Sequence, residues 1–165
     1  MNVKIKLNGG IMPVRQHESD AAYDLYVPED IVLKNGRQVI DLKFSIEMPQ
    51  HLCAIIQPRS GYSSKGVEVE WKYKDVETLC VKKNHRINAD SLLGLIDSGY
   101  RGNVAAILKV NEYRSGTYTL KKGTRIAQMR FVEVPQVTLE QVSDLSDSDR
   151  GEHGFGSTNK KSAIW

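Results

Sequence analysis

The chain has 165 residues, of which 40% are hydrophobic and 26% charged, and a formal net charge of +3. That length suits one domain with one core, and a charge so mild excludes binding of nucleic acid by bulk electrostatics. Cys53 and Cys80 have no metal-like spacing and read as reduced, packed thiols. No apolar leader follows the lysine-bearing Met1–Leu7 stretch, and no apolar run approaches membrane-spanning length, so a soluble cytoplasmic protein without a membrane role is expected.

In chain order, short alternating runs separated by turn residues predict strands at Val3-Ile5-Leu7, Ile31-Leu33, Val39-Ile40, Phe44-Ile46-Met48 and Leu52-Ala54-Ile56. Further strands are predicted at Val104 to Val110, Tyr118 to Leu120 and Arg125 to Val134. The prolines at 13, 28, 49, 58 and 135 fall at the ends of such runs, where a missing donor does least harm. The pattern predicts an all-β jelly roll or sandwich with one body over residues 1–142, relieved by turns of helix at Ser60 to Lys65 and at Leu139 to Val142.

Within that frame some residues carry chemistry. Asp24 lies in the otherwise apolar run of DAAYDLY, where a carboxylate needs a partner or a metal-bound water. Gln57-Pro58-Arg59-Ser60-Gly61 ends a strand and opens the first helical turn. A serine at the capping position beside an arginine marks either a simple cap or a place for phosphate. The block 67–91 opens with VEVEWKYKD, in which Val67, Val69, Trp71 and Tyr73 alternate with charged residues, and 76–81 returns as a partner strand. It reads as an amphipathic hairpin arm whose aromatics either cover the protein's own surface or meet another subunit or a protein partner.

GLIDSGYRG, residues 94–102, follows the apolar Leu92 and Leu93. It reads as a buried strand entering a tight turn that presents one carboxylate, Asp97, and one phenol, Tyr100. Asp-Ser-Gly is also ordinary turn chemistry, with Asp97 bonding its own backbone and Gly99 supplying a positive φ. In KGTRIAQM, Arg125 and Gln128 flank a strand start, Arg125 reading as a satisfied structural group. From Ser143 the chain turns polar and glycine-rich. Arg150, Phe155, Gly156, Ser157 and Thr158 suit an arm that orders over a ligand better than a merely frayed end.

DAAYDLY, PRSG, GLIDSGYRG, KGTRIAQM and RGEHGFGST, in this order from Asp20 to Thr158, resemble the five motifs of the trimeric dUTPase family. The resemblance implies a jelly-roll homotrimer with sites shared between chains. It also implies magnesium-dependent hydrolysis of dUTP to dUMP and pyrophosphate, limiting uracil in DNA and supplying dUMP for dTMP synthesis. It implies that Asp97 activates water, that Tyr100 packs under the deoxyribose and that Gly94 and Ile96 bind the substrate. Arg59, Ser60, Gly61 and Gln128 would contact phosphates, Asp24 would hold Mg2+ through water, and Arg150 would reach the γ-phosphate. Phe155 would stack on uracil, while Gly156, Ser157 and Thr158 close over the nucleotide.

Ser91 stands where many members carry an asparagine that helps read uracil, which leaves that reading to Ser91, to backbone groups of the hairpin, or to Asn88 or Asn84. The long 67–91 block and the residues from Asn159 to Trp165 suggest a phage or viral member. A dCTP deaminase of related fold is the rival enzyme, disfavoured by the RG..GFGST arm and by Pro58 before Arg59. The other rival is a regulatory protein using the same scaffold and the arm to engage a partner.

Overall fold

The structure is a computed structural model that describes residues 1–74 and 79–152. Among these residues are thirteen strands, each pairing antiparallel, and one short helix. They are β1 (Lys4–Leu7), β2 (Tyr23–Tyr26), β3 (Ile31–Leu33), β4 (Gly36–Asp41), β5 (Phe44–Glu47), β6 (Leu52–Gln57), α1 (Ser60–Lys65), β7 (Val67–Lys74), β8 (Leu79–Ile87), β9 (Ala89–Leu92), β10 (Gly94–Ile96), β11 (Ala105–Val110), β12 (Thr117–Leu120) and β13 (Arg125–Glu133). The strand runs expected from alternation are all present, and α1 falls where predicted. The body, Met1–Pro135, is an all-β jelly roll.

Four sheets enclose one core, in the orders β1-β5, β10-β6-β13-β2, β4-β11-β9 and β3-β12-β7-β8. Alternation fixes which side chains enter it: along β11, Ala106, Leu108 and Val110 are buried while their neighbours are only partly covered. In β13 the register against β2 shifts between Arg125 and Ala127, so Ile126 and Ala127 are both buried despite being adjacent. Phe44, Leu25, Leu42, Ile56, Leu108 and Leu120 are the large side chains at the centre.

β7 and β8 form the expected hairpin, with the return strand beginning at Leu79. It is built into the body, because β7 also pairs with β12, Trp71 opposite Tyr118. Trp71 stacks on Tyr73 at 4.2 Å, lies 4.6 Å from the ring of His85, and donates its indole N–H to the Ser115 carbonyl at 3.1 Å. The first of the two readings therefore holds for Trp71, which covers the protein's own surface. The register shift between Val69 and Trp71 places Asn84 at φ 58°, a left-handed conformation asparagine tolerates.

Gly66 joins α1 to β7 at φ 75°, ψ −179°, and a Cβ there would collide with the Ile87 carbonyl oxygen. Only glycine fits both demands. Gly66→Ala is expected to lower stability by about 2 kcal/mol or more, read as a fall in the urea midpoint.

Gln136–Trp165 separates as a second unit, described as far as Glu152. The helical turn expected at Leu139 to Val142 is absent: residues 134–152 carry neither helix nor strand. Leu139 is 93% exposed and Val137 76%, so no apolar surface is available to repay the ordering of a single turn.

Candidate active site

β10 lies antiparallel to β6, with Ile96 opposite Ala54, and stops at Asp97. The chain turns there, the Tyr100 N–H donating to the Asp97 carbonyl at 3.1 Å. Gly99 does not take the positive φ that Asp-Ser-Gly suggests, and among the described residues the Asp97 carboxylate makes no hydrogen bond to its own turn. The turn is closed by that backbone bond and by the Arg101 guanidinium, which donates to the Ser98 carbonyl at 2.6 Å and to the Tyr100 carbonyl at 3.0 Å, and the Asp97 carboxylate is left exposed. Asp97, Tyr100, Gly94 and Ile96 line one hollow of about 260 Å³, whose other walls are mostly apolar, among them Val39 and Ile107.

A second group assembles where β2, β6 and β13 meet. Gln128 pairs with Asp24 on one side and Gln57 on the other, so three polar residues form one row across the sheet. Asp24 is only 4% exposed, and both its oxygens are engaged. Arg59 Nε donates to Oδ1 at 2.9 Å, and Arg125 Nη1 to Oδ2 at 3.1 Å. The partner that burial of this carboxylate demands is thus a pair of arginines, 35 and 101 residues away in sequence. Arg125 is the structural group anticipated, and with Arg59 it also lines two hollows, one of about 370 Å³ that includes Asp24 and a mainly cationic one of about 620 Å³ beside α1.

Arg59 itself is the N-cap of α1, in extended backbone at φ −86°, ψ 140°. Ser60 is therefore the first helical residue, not the cap, and no side chain caps this end. Arg59 still has extended backbone and Ser60 is already helical, so the helix starts one residue earlier than a capping serine would place it. Ser60 and Gly61 are exposed, and of the two Gly61 lines the larger, cationic hollow. Beneath them the Tyr62 hydroxyl is buried without a partner, and burial pushes its pKa well above the usual phenol range, so it stays protonated.

Ser91 departs from expectation. It is 1% exposed on β9, shares the inward face with Ala89, and its Oγ has no partner. Its neighbour Leu92 lines the hollow with Asp97, and Ser91 does not. Strand alternation sends consecutive residues to opposite faces, so this serine points into the core and away from that hollow. Asn84 and Asn88 line other hollows, beside α1, and neither joins Asp97. Arg150 belongs to the second unit, next to a turn closed by Gly151 N–H to the Ser148 carbonyl at 3.0 Å. Phe155, Gly156, Ser157 and Thr158 lie outside the described residues.

For magnesium the donor set is thin. Among the described residues no group of three His, Cys, Asp or Glu could cage an ion, and the Asp24 oxygens already serve two arginines. Mg2+ keeps most of its waters and binds by one or two carboxylates plus substrate phosphates. Asp24 fits that limited duty, each oxygen retaining a lone pair for a metal-bound water.

A dUTPase family model matches residues 8–74 and 81–159. The chain belongs to the dUTPase family. The match pauses across 75–80, so all of β7, and β8 from Val81 onward, lie within the matched family region. The deoxyuridine 5'-triphosphate nucleotidohydrolase of Clostridium acetobutylicum is 36% identical over 164 residues, covering 98% of this chain and 99% of that one. The dUTPase of Staphylococcus bacteriophage 80alpha, solved with dUPNHPP, superposes with TM-score 0.74 at 28% identity, covering 94% and 97% of the two chains. A point mutant of the dUTPase from phage phi11 of S. aureus, 22% identical, shares the fold at TM-score 0.67 over 87% and 98%, and in that protein a structural Mg(II) ion is coordinated.

Two residues lining these hollows of the dUTPase-family chain carry no functional mark in the sequence. Gln57 reads there only as the end of a strand, and Asn103, which lines the hollow with Asp97, as an ordinary polar residue between strands. The signal for Gln57 is its polarity at the end of LCAIIQ; for Asn103, a local sequence offers none.

Proposed function

We propose that the protein is a dUTP diphosphatase, hydrolysing dUTP to dUMP and pyrophosphate, by attack of a water on the α-phosphorus. The observation that carries this reading is the exposed Asp97 carboxylate at the rim of an apolar hollow walled by Tyr100. An aspartate at neutral pH is a carboxylate that can orient a water and accept its proton. The ring beside it denies space to a ribose 2'-hydroxyl. Arg59, Arg125, Gln128, Ser60 and Gly61 neutralise and position the phosphates, which is most of what phosphoryl transfer requires. Magnesium, carried in on the triphosphate with Asp24 as a water-mediated acceptor, would screen phosphate charge. Arg150, Phe155, Gly156, Ser157 and Thr158 would complete the site by closing over the nucleotide.

The assembly that suits this chemistry is a homotrimer with shared sites. No residue lines both the Asp97 hollow and the Asp24 hollow, and adjacent residues of β6, Ile56 and Gln57, are divided between them. Nucleoside and phosphate groups of one nucleotide are then met by different protomers. Val39 and Leu95, 72% and 65% exposed on the walls of the Asp97 hollow, supply apolar surface for such a contact.

The test is pyrophosphate release from dUTP, dCTP, dTTP and UTP, with Mg2+ and with chelator. Turnover confined to dUTP and lost on chelation is expected; ammonia from dCTP, or equal rates on dUTP and UTP, would overturn the assignment.

A further inference from the structure

The Tyr100 ring is held by a bracket made from other parts of the chain. Its hydroxyl donates to the Asn103 backbone carbonyl at 3.0 Å. The same end of the ring rests on Gly102: a Cβ there would lie 2.6 Å from Cζ and nearer still to Oη. Gly102 has no positive φ, so glycine is required by the ring's proximity and not by backbone conformation. Asn103 in turn is gripped through its side chain. Its Nδ2 donates to Asp41 at 3.0 Å, and its Oδ1 accepts from Asn8 Nδ2 at 2.8 Å and from Ser45 Oγ at 3.3 Å. Asn8 and Asp41 are fixed too, the Asn8 N–H donating to the Lys43 carbonyl and the Lys43 N–H to Asp41 Oδ1, each at 2.8 Å. One residue on, Val104 is locked by backbone bonds to Phe44 and Leu42.

We propose that Gly102 and Asn103, braced by Asn8, Ser45 and Asp41, are the positioning residues for sugar specificity, because they stop the Tyr100 ring from retreating before a ribose. The inference rests on the role given to Tyr100 under the proposed function. A steric wall discriminates only by what it costs to move it, and a phenol 47% exposed on a turn has little packing of its own to resist displacement. The bracket supplies the resistance: a bare Cα under the ring fixes its distance from the backbone, and the carbonyl fixes its rotation. The carbonyl is itself immobile because the side chain of the same residue is tied to Asn8 just after β1, to β5 and to the Asp41 end of β4.

The experiment measures kcat/KM for dUTP and for UTP in the full-length wild type and in Asn103→Ala, Gly102→Ala, Tyr100→Phe and Tyr100→Ala, with thermal melts as a control of folding. Loosening the bracket is expected to raise kcat/KM for UTP, so that the dUTP/UTP ratio falls about tenfold in Asn103→Ala, as for other small steric discriminations. Simple structural damage lowers both substrates together and cannot produce a gain on UTP. Should Gly102→Ala fail to fold, Asn103→Ala and Tyr100→Phe carry the same expectation. A ratio unchanged in Asn103→Ala and Tyr100→Phe, but collapsed in Tyr100→Ala, would overturn the bracket while leaving Tyr100 as the discriminator. A wild type that turns over dUTP and UTP alike would overturn the sugar reading and the bracket with it.

Discussion

Asp97→Asn is expected to abolish nearly all turnover of dUTP while leaving the nucleotide bound. Losing a positioned general base costs about a thousandfold in rate, within the usual range for proton transfer by a side chain. The amide keeps the size and polarity of the carboxylate, and among the described residues the carboxylate makes no hydrogen bond whose loss would disturb the turn, so stability stays near that of the wild type. Steady-state pyrophosphate release gives the rate, and calorimetric titration with a non-hydrolysable dUTP analogue gives the affinity. An unimpaired rate would remove Asp97 from the chemistry; a lost affinity would make it a binding residue.

Asp24→Ala carries the second largest effect and acts twice. It removes two charge-assisted hydrogen bonds from a carboxylate that is almost fully enclosed, and each such bond contributes about 1.5–3 kcal/mol. Arg59 and Arg125 are partly solvated, with side chains 21% and 43% exposed, and water recovers part of their loss. A net destabilisation of about 2–3 kcal/mol is expected, which for a domain of this size lowers the melting temperature by about 5–10 °C. Below that melting point the protein should still bind nucleotide weakly, because both guanidiniums remain but neither is aimed. KM for dUTP rises, and the Mg2+ concentration giving half-maximal rate separates two duties: unchanged, Asp24 serves the arginines; raised, it also serves the ion.

These two residues show how differently parts of the site are legible. Asp97 and Tyr100 sit three apart in one turn, so a local stretch of sequence presents both, and the tertiary structure had only to show that the carboxylate is exposed. Asp24 is legible as a problem, a charge in an apolar strand, but its solution lies with Arg59 beyond β6 and Arg125 on β13. Ser91 marks the limit. Its place in the motif order is plain from sequence, yet which face it takes depends on the register of β9 against β11, where it pairs with Leu108. A shift of one residue would have turned it outward.

Most of the strand content, the helix at Ser60–Lys65, the order of five motifs and hence the family were legible in the sequence, because these depend on alternation, turn chemistry and residue identity within short windows; the same windows misread Leu139 to Val142 as helical. It took the folded chain to show that Asp24 is neutralised by two arginines, that Asp97 and Asp24 line separate hollows, and that Tyr100 leans on Gly102 and Asn103. The first two join residues from different strands, and the third depends on how distant segments brace Asn103. Pairing energies across a sheet are set by register and packing among such segments, and a local window contains neither.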